Sequence, residues 1–161
     1  MKRDEVEAYY IAHYKALLFY ALSFTHNRED AEDLVANAFV KAMLSFEDGN
    51  FMAWIYKVIQ NEFYNLHRKK KRFVQTEDDS LEWLESPEDI LQNYIEQEQK
   101  RWLYAKLYEL PKKEREIMLL SVTKELADSD IAEITGTSLS NVRVIKYRVK
   151  QKLVDMQREE K

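Results

Sequence analysis

Between Leu126 and Leu153 the apolar positions fall into two short helical registers separated by a turn. Ile131, Ala132 and Ile134 give one face of a first helix, N-capped by Asp128. It stops at Thr135-Gly136, where glycine accepts the left-handed conformation that ends a helix. Ser138 then caps a second helix with Asn141 at its third position, and Val142, Ile145, Val149 and Leu153 recur on one face. The remaining surface carries Arg143, Lys146, Tyr147, Arg148, Lys150 and Lys152, with no acid before Asp155. This spacing predicts a helix-turn-helix whose second helix is polar enough at its start, and basic enough, to enter a major groove. A plain helical hairpin with a solvated lysine face is the simpler alternative, and the motif alone does not exclude it.

Upstream, Val6, Tyr10, Tyr14, Leu17, Leu18 and Ala21 share one face of an amphipathic helix from Asp4 to about Phe24. Asn27, followed by Asp30, caps a second helix to about Phe46, with Ala31, Leu34, Val35, Ala38, Phe39 and Ala42 inward. Its acidic start suits the positive end of the helix dipole. After the turn Glu47 to Asn50, a third helix from Phe51 to about Arg72 puts Phe51, Trp54, Ile55, Val58, Ile59 and Leu66 inward. Lys57, Gln60, Asn61, Tyr64, Asn65 and Arg68 lie on its other face, ahead of the basic run Arg68 to Arg72. Asn61 and Asn65, one turn apart beside Tyr64, are the residue types that read base edges and stack on an unpaired base. A solvated face with lysines complementing the helix C-terminus is the bland reading of the same residues.

From Phe73 to Gln99 the acids Glu77, Asp78, Asp79, Glu82, Glu85, Glu88, Asp89, Glu96 and Glu98 have no basic residue among them. The composition predicts a linker, disordered at Thr76 to Ser80, with Trp83 and Leu84 as one sticky contact. Ser86-Pro87-Glu88-Asp89 starts a helix that Ile90, Tyr94, Trp102 and Leu107 carry to about Glu109, and Leu110-Pro111 restarts another. The second domain thus reads as four helices. The expected fold is all-α, with helical domains at residues 1–72 and 100–161 joined by an acidic linker and helix start at 73–99, the C-terminal domain being the helix-turn-helix.

Composition narrows the function. Two glycines and two prolines in 161 residues, with 45% hydrophobic and 34% charged residues, favour long helices over sheet. With no cysteine, a disulfide scaffold, a thiol nucleophile and a cysteine zinc site are excluded, and a reducing cytoplasm is expected. No apolar run approaches membrane-spanning length and the first residues are too polar for a signal peptide, so no membrane insertion is expected. No glycine loop cradles phosphate, and His13, His26 and His67 lie in no metal-ligand or triad pattern, so no enzyme, cofactor or metal is expected. The formal charge of −4 opposes stand-alone phosphate binding, so any DNA contact must be local or assisted.

Four stretches in order complete the picture: Ala31-Glu32-Asp33-Leu34-Val35 with Phe39; Phe51-Met52-Ala53-Trp54-Ile55-Tyr56 through Asn61 to Arg68; Leu110-Pro111 with Arg115-Glu116; and Ile131-Ala132-Glu133-Ile134-Thr135-Gly136 with Val142 and Arg148. In these the chain resembles the extracytoplasmic-function group of sigma factors, the promoter-recognition subunits of bacterial RNA polymerase. The resemblance implies that Asp33, Leu34, Asn37 and Lys41 bind core polymerase at the β′ clamp helices, with the β subunit a further partner. It implies that Asn50, Asn61, Tyr64, Asn65 and Arg68 handle a base extruded from the −10 element. Ser140, Asn141, Arg143, Val144, Tyr147 and Arg148 would face the −35 element of promoter DNA, the linker would thread through the polymerase, and an anti-sigma factor would control the whole.

The chain departs from the family in three places. Ala36 and Asn37 stand where Gln and Glu are usual, Ala127 replaces a serine cap, and Ile145-Lys146 reverse the common order. Two other classes remain open on the residues alone: a dimeric helix-turn-helix repressor, and a helical adaptor that binds only protein.

Overall fold

The computed structural model describes residues 1–70 and 82–160, with residues 69 and 70 described by backbone alone. The expected disorder at Thr76 to Ser80, and the basic run past Lys70, lie outside the described residues. Eight helices and no strand occur among the described residues, so the all-α expectation holds. They group into two compact units, Met1–Leu84 and Glu85–Lys161.

The first unit is built from α1 (Arg3–Thr25), α2 (Arg28–Ser45) and α3 (Phe51–Lys70), each packed on the other two. Asn27 caps α2 by accepting the Asp30 N–H at 3.1 Å, and Ala31, Ala38 and Ala42 are small enough to bring α2 close against α1. The second half of α1 departs from a simple amphipathic stripe. Leu17 through Phe24 are all buried, because this segment is covered on more than one side. Tyr10, by contrast, is 40% exposed and meets Phe39 edge-on at 5.0 Å. The sequence reading also placed Leu66 inward, but it is 50% exposed. Helix α1 ends at Thr25, where Phe24 packs on Phe63 and Tyr64, and Leu66 lies past that cover. Trp83 stacks on His26 at 4.4 Å in this same unit, the contact its composition suggested, while Leu84 stays 81% exposed.

In the second unit, the single helix expected from Ser86 to Glu109 is two: α4 (Pro87–Gln92) and α5 (Glu98–Tyr108). Ser86 caps α4 through the Asp89 N–H. Buried Ile95 then closes the helix through its N–H to the Leu91 carbonyl, and the Arg101 guanidinium donates to the Ile95 carbonyl at 3.1 Å. That arginine satisfies a carbonyl orphaned by the break. Helices α6 (Lys112–Ser121), α7 (Asp128–Thr135) and α8 (Leu139–Glu159) follow, so the unit has five helices rather than four. Ile117, Leu120, Ile131, Ile134, Val142 and Val149 form its centre. Burial pushes the Tyr108 hydroxyl well above the usual tyrosine range, with Tyr104 adding to the shift and Arg115 opposing it.

The N-cap of α7 is Ala127, not Asp128; the Ala127 N–H donates to the Asp130 carboxylate at 3.0 Å, and alanine has no side-chain acceptor to return the bond. Helix α7 ends at Gly136 with φ +67°, while the Thr137 N–H reaches back to the Ala132 carbonyl. A Cβ at Gly136 would meet nothing within 4 Å, so any cost of substitution is that of the left-handed backbone itself. Gly136→Ala should therefore cost about 1–2 kcal/mol, and Gly136→Asn less. Urea unfolding followed by helical circular dichroism checks this through the midpoint at constant slope; equal losses for Ala and Asn would contradict it.

Candidate nucleic-acid interface

Helix α8 is fixed to α6 and α7 by the side chains it buries, Val142, Ile145, Val149 and Leu153. Because residues three and four apart share a face, burying this set turns its neighbours outward. Ser140, Asn141, Arg143, Val144, Tyr147 and Arg148 are all exposed, Val144 at 48% and Tyr147 at 70%. Arg143, Val144, Tyr147, Arg148 and Gln151 line a shallow open groove on this face. Ser138 accepts the Asn141 N–H at 3.1 Å, so the expected cap of α8 is present. Lys113 donates to the Thr135 carbonyl at 2.6 Å, placing a cation on the negative end of α7 and tying the turn to α6.

The cations of α8 are not equivalent. Arg148, Lys150 and Lys152 are exposed. Lys146, grouped with them from sequence, is half-buried and pairs with Asp128 of α7 at 2.6 Å. The other oxygen of Asp128 lies 3.8 Å from Nε of Arg143.

On α3, Asn61, Asn65 and Arg68 are exposed in one line, and Arg68 donates to the Asn65 side chain at 3.1 Å. Tyr64 is half-buried, 5.8 Å from the Phe24 ring. Gln60, read from sequence as part of the same face, is buried and accepts from Lys57 at 2.8 Å. Asn50 is the N-cap of α3, its side chain accepting the Ala53 N–H at 3.1 Å.

On α2, Asp33, Asn37 and Lys41 are exposed at successive turns, and Lys41 pairs with Glu62 of α3 at 2.6 Å. Leu34, grouped with them from sequence, is buried in the core at 3% exposure. The sequence reading missed Val40, Met43 and Leu44 beside this line, which are 49%, 42% and 81% exposed. Their signal was present: Val40 and Leu44 are apolar, four apart, and out of phase with the buried set.

Among the described residues no group of His, Cys, Asp and Glu could hold a metal ion, and no helix is long and apolar enough to cross a membrane.

The model of Sigma-70 region 2 matches residues 9–73, and that of Sigma-70, region 4 matches residues 100–153. The RNA polymerase sigma factor YlaC of Bacillus subtilis is 31% identical over 160 residues, covering 94% of this chain and 91% of that protein. The ECF RNA polymerase sigma factor SigM of the same organism is 28% identical, covering 83% of each. Among solved structures, the sigma factor RpoE of Bartonella quintana, in complex with the anti-sigma factor NepR, shares the fold with TM-score 0.69 and 24% identity, covering 98% of this chain and 99% of that one.

The different surroundings of Asn50 and Asn61 make a direct prediction. Asn50→Ala removes a helix cap and should cost about 1 kcal/mol of stability, whereas Asn61→Ala on the open face should change stability by less than about 0.5 kcal/mol. Thermal unfolding of the two variants separates them; equal destabilisation would place Asn61 in the structural framework.

Proposed function

Because this chain belongs to the extracytoplasmic-function sigma factors of the sigma-70 family, and so is a non-enzymatic RNA polymerase sigma factor, we propose how its surfaces divide the work of promoter recognition. The groove face of α8, with Ser140, Asn141, Arg143, Val144, Tyr147 and Arg148, reads the −35 element. Asn61, Asn65 and Arg68, with the edge of Tyr64, handle the −10 element and its opened strand. Asp33, Asn37 and Lys41, joined by Val40 and Leu44, dock on the β′ clamp helices of core polymerase. Asn50 supports the −10 surface by fixing the start of α3. The threading of the acidic linker between the two domains through the polymerase belongs to the same reading, as does a cytoplasmic location.

The observation that carries this reading is the division of α8. Four of its aliphatic residues, Val142, Ile145, Val149 and Leu153, are buried, while arginines, an aromatic ring and a valine are presented together on the opposite side. Such a face offers bidentate donors for guanine, apolar contact for a thymine methyl, and phosphate-pairing cations.

An anti-sigma partner fits the same scheme. Among the solved neighbours, RpoE is in complex with the anti-sigma factor NepR, and CnrH is in complex with the cytosolic domain of CnrY. The exposed apolar residues Val40 and Leu44 give an antagonist a surface that is also needed by the polymerase.

Charge decides when the DNA contact forms. The whole chain carries −4, so the free protein approaches DNA against net repulsion, and its local cations supply only a handful of salt-sensitive phosphate contacts. Bound to polymerase, the two reading surfaces are held at a defined spacing and the second contact gains effective concentration from the first. Fluorescence anisotropy on a promoter fragment at physiological salt should show weak binding by the free chain and tight, selective binding with core enzyme. Tight selective binding by the free chain points instead to a repressor-like mode, and no effect of core removes the docking assignment.

A further inference from the structure

We propose that Asp128, on α7, is a positioning residue for base recognition: it orients Arg143 and withdraws Lys146 from the DNA. The inference rests on α8 being the DNA-reading helix.

Asp128 stands at the first position of α7, where a carboxylate ordinarily serves the helix start. Here that work is done elsewhere, since Asp130 accepts the Ala127 N–H. Both oxygens of Asp128 are turned to α8 instead. Oδ1 holds the Lys146 ammonium at 2.6 Å, with the two side chains only 24% and 25% exposed, and Oδ2 faces Nε of Arg143 at 3.8 Å.

The two cations are affected differently. The Lys146 ammonium is a point charge already matched by a carboxylate and partly shielded from solvent. Moving it to a phosphate would leave Asp128 unpaired beside the DNA. Arg143 is 65% exposed, and its guanidinium has two usable edges. With Nε facing the carboxylate, the edge formed by the two terminal nitrogens is left to pair as a fork with O6 and N7 of guanine. Attraction to the carboxylate also biases the arginine toward that arrangement before binding, lowering the ordering cost a long side chain otherwise incurs. A carboxylate near the groove disfavours every arrangement in which Arg143 leaves it for a phosphate. Asp128 thus favours a base contact over a backbone contact for the same arginine.

The test uses the full chain assembled with core RNA polymerase and a duplex library randomised across the −35 region, sequenced before and after binding. Asp128→Asn keeps the side-chain shape and removes the charge. It should reduce the enrichment of guanine at a single position by about five- to tenfold, part of what one bidentate arginine contact supplies, with other positions unchanged. It should also steepen the salt dependence of binding by about one contact as Lys146 is released to phosphate. Lys146→Met gives a second reading that does not depend on Asp128. It should leave the salt slope almost unaltered, whereas Lys150→Ala should lower it by about 0.9, the value for one phosphate contact.

Uniform weakening of all sequences by Asp128→Asn, or no change in base preference, overturns the proposal, and so does a Lys146→Met slope that falls like that of Lys150→Ala. If Arg143→Ala alters no preference and Lys150→Ala no slope, α8 is off the DNA and the reading beneath the proposal fails with it.

Discussion

Helix α8 must be gripped by the core of its unit along one narrow line and left bare everywhere else. Val142, Ile145, Val149 and Leu153 form that line. Burying each contributes about 1.5–3 kcal/mol, and their spacing fixes the rotation of the helix about its axis. Every outward residue inherits its direction from them. The turn at Gly136, the Ser138 cap and the Lys113 bond to the Thr135 carbonyl set the angle at which α8 leaves α7. Packing therefore determines rotation, and hydrogen bonds at the turn determine direction.

The first unit meets a different demand. In the proposed division of work it has to keep two exposed faces, on α2 and α3, in fixed relation to each other. The nearly fully buried second half of α1 and the rings of Phe24, Tyr20 and Tyr56 form the body against which both helices rest. The Lys41–Glu62 pair joins the two faces directly, but it is exposed and contributes little by itself. Rigidity comes from the ring packing, and the surface residues are free to serve binding.

The sequence displayed most of this because its signals are local. Asn27, Ser86, Ser138 and Gly136 act within four residues of themselves, and each does what its chemistry suggests. The buried line of α8 was equally legible, being a single stripe on a helix covered from one side. Reading failed where tertiary surroundings override periodicity. The second half of α1 is covered on more than one side, Leu66 has outrun its cover, and Gln60 lies in the core with Lys57 as its donor. The break between α4 and α5 carries no glycine or proline to announce it and relies on Arg101, six residues away from the carbonyl it satisfies. In the candidate site, Arg143 and Tyr147 could be placed from the stripe they oppose, but Lys146 could not be told from its neighbours. Its partner Asp128 is eighteen residues distant, and from sequence that acid fits a cap just as well.

The Asp128 pairs also bear on how such a module can be exchanged. A recognition helix is often imagined as a portable cassette, its preference travelling with its own side chains. Here two of those side chains, Lys146 and Arg143, lie 2.6 and 3.8 Å from one carboxylate of the preceding helix. A transplanted α8 would arrive with an arginine lacking its support and a lysine free to find a new anion. If α8 reads DNA as proposed, the unit of preference is α7 and α8 together, and a swap confined to one helix should give a hybrid with looser discrimination than either parent.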